Sequence, residues 1–246
     1  MKKYVKGRKK KKVEWSNQSI ERLVLFADIM GFKSRVQTTN HSTLVKEVSG
    51  FLDDLNTKLT PFTKFNNLKI AQFSDSILIV ANGSDYRMFN LISKAAIALM
   101  QIAMSNKIAI KGCISKGLFT VNQSKNLYLG QALVDAYMLH DEIKYYGVVV
   151  HNTAETIVKR YLNDNNPYKK SPISLDKGKV NHYHLCWNLV DSQYQPANIT
   201  DQCNNWLDNI EETVSGKPRQ YIDNTREVLN FDATEFKVET DGEKEV

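Results

Sequence analysis

The chain reads as an α+β protein in which helices cover one side of a single mixed sheet. Three observations lead there. Residues 23–27 are a short apolar run that suits a strand buried on both faces, residues 42–59 carry helical periodicity, and residues 68–81 hold two β-rich segments meeting at a turn. Hairpins that alternate with helical crossovers define α+β architecture.

The elements follow in order. LVLFA, residues 23–27, is bounded by Asp28 and Gly31 and forms the first strand. In residues 42–59, Leu44, Val45, Val48, Phe51, Leu52, Leu55 and Leu59 recur at steps of three and four, which predicts an amphipathic helix closed by Thr60 and Pro61. LKIAQFSDSILIVA, residues 68–81, predicts a hairpin with its turn at Ser74 and Asp75. Residues 87–104 are apolar around most of the circumference and contain no Gly or Pro, so they predict a helix covered on most sides and laid on the sheet.

Strands are expected at 108–115 and 118–121, a helix from Gly130 through Leu139, and a strand at 148–151. Residues 161–179 are rich in Asn, Pro, Lys and Ser and read as a loop. Beyond it come a strand at 181–190, two helices near 200–215 and 218–230, and an acidic stretch from Asp232 that is expected to fray. The expected division is a basic tail over 1–19, a main domain over 20–160, a loop, strand and helices on that same domain over 161–231, and an acidic tail over 232–246.

With 42% hydrophobic and 24% charged residues in 246, the composition is that of a folded globular protein and excludes wholesale disorder. No apolar run reaches the ~18–20 residues of a membrane span. The N-terminal lysines lead into Val13, Glu14, Trp15 and Ser16 in place of an apolar signal core, so a cytoplasmic location is expected. Cys113, Cys186 and Cys203 lack framework spacing and read as buried thiols of a reducing compartment.

The net charge of +6 is local. Eight of the 33 Lys and Arg residues fall within residues 1–12, which contain no acid, and the remainder carries 25 bases against 27 acids. The tail reads as a solvated arm, and its removal is expected to leave fold and activity intact. Aromatic residues are not interleaved with basic ones, so nucleic acid is not an expected partner. There is no phosphate loop ending in Gly-Lys-Ser/Thr and no dinucleotide glycine fingerprint, which argues against kinases and dehydrogenases.

Two carboxylates carry the chemistry. In LVLFADIMGF a buried strand ends at Asp28 and is followed by Gly31 and a helix start, where backbone N–H groups favour phosphate and a carboxylate can hold its metal. In FSDSILIV, Asp75 occupies a hairpin tip that can lie beside the end of the first strand. Each alone is as easily a helix cap or a turn residue. His182, His184 and Cys186 alternate along a strand and share a face, a zinc-like arrangement that lacks an evident fourth ligand, so core packing is the default reading. Cys113 reads as a core thiol.

The order FADIMGF, FSDSILIV, IKGCISKGLF and GQALVDAYML resembles the catalytic domain of class III adenylate and guanylate cyclases over about residues 22–152. The resemblance implies a ferredoxin-like βαββαβ core and a site holding two divalent ions, Mn²⁺ or Mg²⁺, between Asp28, the carbonyl of Ile29 and Asp75. The amides of Met30, Gly31 and Phe32 would receive phosphate oxygens. The implied reaction is attack of a ribose 3′-hydroxyl on the α-phosphate of a nucleoside triphosphate, with pyrophosphate leaving, in a homodimer whose sites lie at the interface.

The departures from that family matter. A base-reading lysine is replaced by Ala71, and a polar base reader by Leu127; neither side chain can hydrogen-bond a base. The family's ribose-orienting asparagine and transition-state arginine align with Val134 and Met138. Lys111 and Lys116 are candidates for the missing positive charge. The GQALVDAYML segment resembles the bacterial pyrimidine cyclases of Pycsar antiphage systems. That likeness implies cyclic UMP made from UTP, with cyclic CMP from CTP as the alternative, and a separate effector protein activated by the product. A catalytically silent nucleotide-binding domain is the competing reading.

Overall fold

The computed structural model describes residues 15, 19–63, 66–160 and 166–241, with side chains through residue 235. The expected basic tail therefore lies almost wholly outside the described residues.

β1 (Ile20–Ile29) is the centre of the molecule. Its residues 22–27 are all buried, and successive side chains serve opposite faces of the sheet. α1 (Phe32–Thr38) and α2 (His41–Thr63) lead to the hairpin of β2 (Leu68–Phe73) and β3 (Ser76–Ala81). α3 (Tyr86–Ser105) then returns the chain to β4 (Ile110–Asn122). These strands lie in the antiparallel order β2-β3-β1-β4, the βαββαβ core expected from the sequence.

α3 has the length and mean hydropathy of a membrane span, yet 11 of its residues are buried between α2 and the sheet. The side chain of Asp85 caps it by accepting from the Met88 amide at 2.9 Å, satisfying one donor of the first turn. Leu23, Leu25, Ala27 and Ile29 of β1 meet Phe51, Leu55 and Leu59 of α2 and the apolar face of α3 in the main core.

β5 (Leu127–Gly130) folds back on the far end of β4, and α4 (Gln131–Glu142) follows at once. The expectation of helices on one side holds for α2 and α3. α4 covers the opposite face, where Val24 and Phe26 of β1 pack against Ala132 and Ala136. A buried strand that is apolar at every position from 23 to 27 needs both faces covered, and α4 supplies the second cover.

β6 (Val148–Val150) pairs in parallel with β4, which makes the sheet mixed, and α5 (Asn152–Arg160) follows. β7 (Tyr168–Leu175) and β8 (Gly178–Leu185) extend the sheet to β2-β3-β1-β4-β6-β8-β7, and α6 (Thr200–Glu211) and α7 (Lys217–Asp241) complete the chain.

Four expectations are corrected. Pro61 does not end α2, because the helix runs to Thr63 with Leu59 and Phe62 anchored in the core. Residues 108–121 hold one strand instead of two. Gly117 permits close approach of α4, since a Cβ there would sit 3.3 Å from the Ala132 nitrogen. The expected loop at 161–179 contains β7 and the start of β8. Pro172 is tolerated because β7 is the sheet edge, while residues 161–165 lie outside the described ones. Finally, Asp232 does not begin a frayed tail: it lies within α7, its side chain fully buried.

Candidate active site

Asp28, the penultimate residue of β1, is opposite Ser76 on one neighbouring strand and Lys111 on the other. Cross-strand partners project to the same face, so pairing alone gathers these three side chains. The Ser76 hydroxyl donates to Asp28 Oδ1 at 2.6 Å. The Ile29 amide donates to the Asp75 carbonyl at 2.9 Å, so a backbone bond ties the β2–β3 turn to the end of β1 and brings the two aspartates together. Ser74 takes the left-handed conformation at φ 56 to make that turn.

The chain leaves β1 through Gly31, at φ 72, and enters α1. That left-handed conformation suits glycine. The Met30 amide already donates to the Ala109 carbonyl at 2.8 Å, which removes it from the expected phosphate donors and leaves the amides of Gly31 and Phe32. Beside Met30 and Gly31 opens a cavity of ≈ 510 Å³, lined also by Arg35, Lys107, Lys217 and Tyr221. The turn between α6 and α7 closes it, so the C-terminal part of the chain forms one wall.

Lys111 is buried, with its ammonium 3.4 Å from the Ile143 carbonyl and 5.7 Å from the Tyr221 ring centre. Burial lowers its pKa, as does Lys144, while Asp141 and Asp28 pull the other way. Lys116 lies elsewhere. It is paired with Glu21 at 3.1 Å and opposite Leu23, so of the two lysines only Lys111 belongs to this site.

Asp28 retains 22% exposure at its side chain. Burial raises its pKa and Asp75 adds to the rise, against the opposing Ser76 hydrogen bond and the Lys111 charge.

The sequence reading missed His140. It sits on α4 one residue past the GQALVDAYML segment, with Nε2 3.6 Å from Asp28 Oδ2 and its ring edge-on to Phe26 at 5.1 Å. Burial lowers its pKa to about 3, with Lys111 and Lys144 contributing, so the ring is neutral at physiological pH. Neither ring nitrogen has a hydrogen-bond partner among the described residues. A neutral imidazole beside a carboxylate adds a nitrogen donor to the oxygen set. The helical spacing from Ala132 and Ala136 to 140 was the available signal.

Ala71 and Leu127 are not brought to Asp28. Ala71 lies on β2 opposite Leu78, and Leu127 pairs with Asn122, at the far end of β4 from Lys111. Val134 and Met138, which align with the family's asparagine and arginine, are 48% and 63% exposed.

No protein-family model matches this sequence, and no curated protein does. Solved structures do. The monomeric guanylyl cyclase domain of the RhoGC fusion protein from the aquatic fungus Blastocladiella emersonii is similar at 17% identity and TM-score 0.51, over 68% of this chain and 97% of that one. The guanylate cyclase domain of RhGC from Catenaria anguillulae, in complex with GTP, gives 16%, 0.51, 69% and 96%. The adenylate/guanylate cyclase/hydrolase from Silicibacter pomeroyi gives 12%, 0.50, 68% and 97%. The chain has the fold of class III cyclase catalytic domains. Within that fold, the end of β1 that carries Asp28 and the β2–β3 turn that carries Asp75 are held together by a backbone hydrogen bond.

Proposed function

We propose that the chain is a nucleotide cyclase that converts a pyrimidine nucleoside triphosphate, UTP before CTP, to its 3′,5′-cyclic monophosphate and pyrophosphate. The observation that carries this reading is the convergence of Asp28, Asp75 and Lys111, with the unpartnered His140, at the end of β1. Asp28 and Asp75 with the Ile29 carbonyl would hold two divalent ions, Mn²⁺ or Mg²⁺, which acidify the attacking 3′-hydroxyl and neutralise the triphosphate.

The protein's own groups do the rest. The Gly31 and Phe32 amides receive phosphate oxygens, and the cavity beside Gly31, with Lys107 and Lys217 on its wall, gives the distal phosphates a positively charged space. Lys111 places a fixed cation opposite Asp28 where negative charge develops during displacement. His140 completes the donor set as a neutral nitrogen.

Ala71 and Leu127 carry no hydrogen-bonding side chain for a purine, which favours a smaller base read by other groups. The likeness to Pycsar cyclases gives UTP its precedence, and with it a role in antiphage signalling through a separate effector in the cytoplasm.

One chain cannot bring Leu127 to Asp28, so a pocket using both ends of β4 draws on two copies in a homodimer. Leu118, Leu127 and Leu129 at the β4–β5 end and Val134 and Met138 on α4 are exposed apolar side chains available to that interface. Exposure of Val134 and Met138 where the family places polar catalytic groups is the observation that favours the competing reading of a silent nucleotide-binding domain.

One experiment separates them. The protein is incubated with each of the four ribonucleoside triphosphates and Mn²⁺, and products are identified by mass. Cyclic UMP supports the reading, cyclic CMP corrects the base, and binding without turnover overturns the enzyme.

A further inference from the structure

A second polar cluster lies three strands from β1. His184 on β8 is opposite Val149, Val149 is opposite Cys113, and Cys113 is opposite Phe26. At ~4.8 Å per strand this row puts it on the order of 14 Å from Phe26, and further still from Asp28. His184 and Cys186 extend from the same face of the sheet, and Asp232 comes down from α7. One ligand atom from each lies within 4.8 Å of the others. His182, which the sequence grouped with them, instead directs Nδ1 toward the Tyr183 carbonyl at 3.1 Å.

We propose that His184, Cys186 and Asp232 form a site for a zinc-class transition metal that fastens α7 to the sheet. Hydrogen bonding accounts for part of the cluster, since the Ser171 hydroxyl donates to Asp232 Oδ1 at 2.6 Å. Nε2 of His184 stands 3.0 and 3.2 Å from the two Asp232 oxygens, 3.1 Å from the Ser171 hydroxyl and 4.0 Å from the Cys186 sulfur. One ring nitrogen carries at most one proton, which it can share between the two Asp232 oxygens but not also with the Cys186 sulfur. Convergence of several donors on a single point is what a cation organises.

The surroundings agree. The side chains of His184 and Asp232 are 1% and 0% exposed, and among the described residues His184 is the sole ion-pair partner of Asp232. Among the described residues Asp232 Oδ2 faces no donor besides the His184 ring nitrogen, and the fully buried Tyr145 hydroxyl, whose ring stands edge-on to His184 at 6.0 Å, has no hydrogen-bond partner. A buried carboxylate without a full complement of donors is costly, and an ion removes that cost.

The His184 separations of 3.0 and 4.0 Å lie either side of the ~3.3–3.6 Å edges of a tetrahedron with metal–nitrogen and metal–sulfur bonds of about 2.1 and 2.3 Å, and the three ligand atoms, all within 4.8 Å, draw closer on loading. The Ser171 hydroxyl and Tyr145 phenol are the oxygens available for the fourth position.

Thiol, imidazole and carboxylate together select Zn²⁺ over the hard ions suited to Asp28 and Asp75.

The test uses the full chain. Elemental analysis of protein purified without chelator is expected to find about one zinc per chain. Replacement by Co²⁺ is expected to give a thiolate-to-cobalt charge-transfer band, which oxygen ligands at Asp28 and Asp75 do not produce. The band is expected to persist in Asp28→Ala and vanish in Cys186→Ser. Wild-type protein with neither zinc nor a thiolate band on cobalt titration overturns the proposal without any variant. So does a band that survives in Cys186→Ser, since it would belong to Cys113 or Cys203. Asp232→Asn, with folding checked by circular dichroism, is expected to weaken retention at least tenfold; unchanged retention would remove Asp232 from the site.

Discussion

Replacing Asp28 by asparagine should make the metal-free protein more stable while removing its activity. The Asp28 side chain is 22% exposed, and burial together with Asp75 raises its pKa. A carboxyl whose folded-state pKa exceeds its unfolded value contributes stability that is fully present below the unfolded pKa and is lost as pH rises through the folded one. At neutral pH the wild type therefore carries an ionised, partly desolvated carboxylate that asparagine lacks. Asparagine keeps an acceptor oxygen for the Ser76 hydroxyl, so that bond survives. The expected gain is about 1 kcal/mol, the usual size for relieving a functional site, or roughly 2–4 °C in melting temperature for a chain of this length. Thermal melts in excess chelator at neutral pH should show the variant higher, and the gap should close below the carboxylate range. A variant that melts lower than wild type at neutral pH, or a gap unchanged at acid pH, would refute the argument that Asp28 is held at a cost for a cation.

Asp75→Ala should reduce turnover by a factor of about 10² to 10³ or more, with the circular dichroism spectrum unchanged. His140→Leu should weaken Mn²⁺ binding by about tenfold in calorimetric titration, since it removes an unpartnered nitrogen 3.6 Å from Asp28. Gly130→Ala should destabilise the fold by about 3 kcal/mol in denaturant titration, because the new Cβ would lie 2.2 Å from the Leu118 carbonyl oxygen and backbone cannot yield there. Leu129→Asp, at a side chain 62% exposed, should leave the monomer folded and shift a sizing column toward monomer with loss of activity; a dimer that persists would place the interface elsewhere.

Residues 23–29 and 68–81 were legible because their chemistry is local. An apolar run ending at Asp28 and two β-rich segments around Asp75 specify a strand end and a hairpin tip without any long-range information. The helix α2 was legible from periodicity, and α3 from an apolar run without Gly or Pro. Residues 168–175 were not, because an edge strand carrying Lys169, Lys170 and Pro172 has the composition of a loop, and only its pairing with β8 reveals it. His140 was hidden for a related reason: a lone histidine on a helix says nothing until α4 is laid across Phe26. Asp232 was misread because its partners Ser171 and His184 are 61 and 48 residues away.

The bond from the Ile29 amide to the Asp75 carbonyl has a consequence for redesign. It sets the spacing of the two aspartates with peptide groups alone, so substitutions at Ala71 or Leu127, which lie on other strand segments, leave that spacing untouched. Under the proposed function, changes in base preference and changes in metal chemistry should therefore combine nearly additively, as expected for sites without shared partners. A library varied at positions 71 and 127 could be searched for new nucleobases without rebuilding the end of β1.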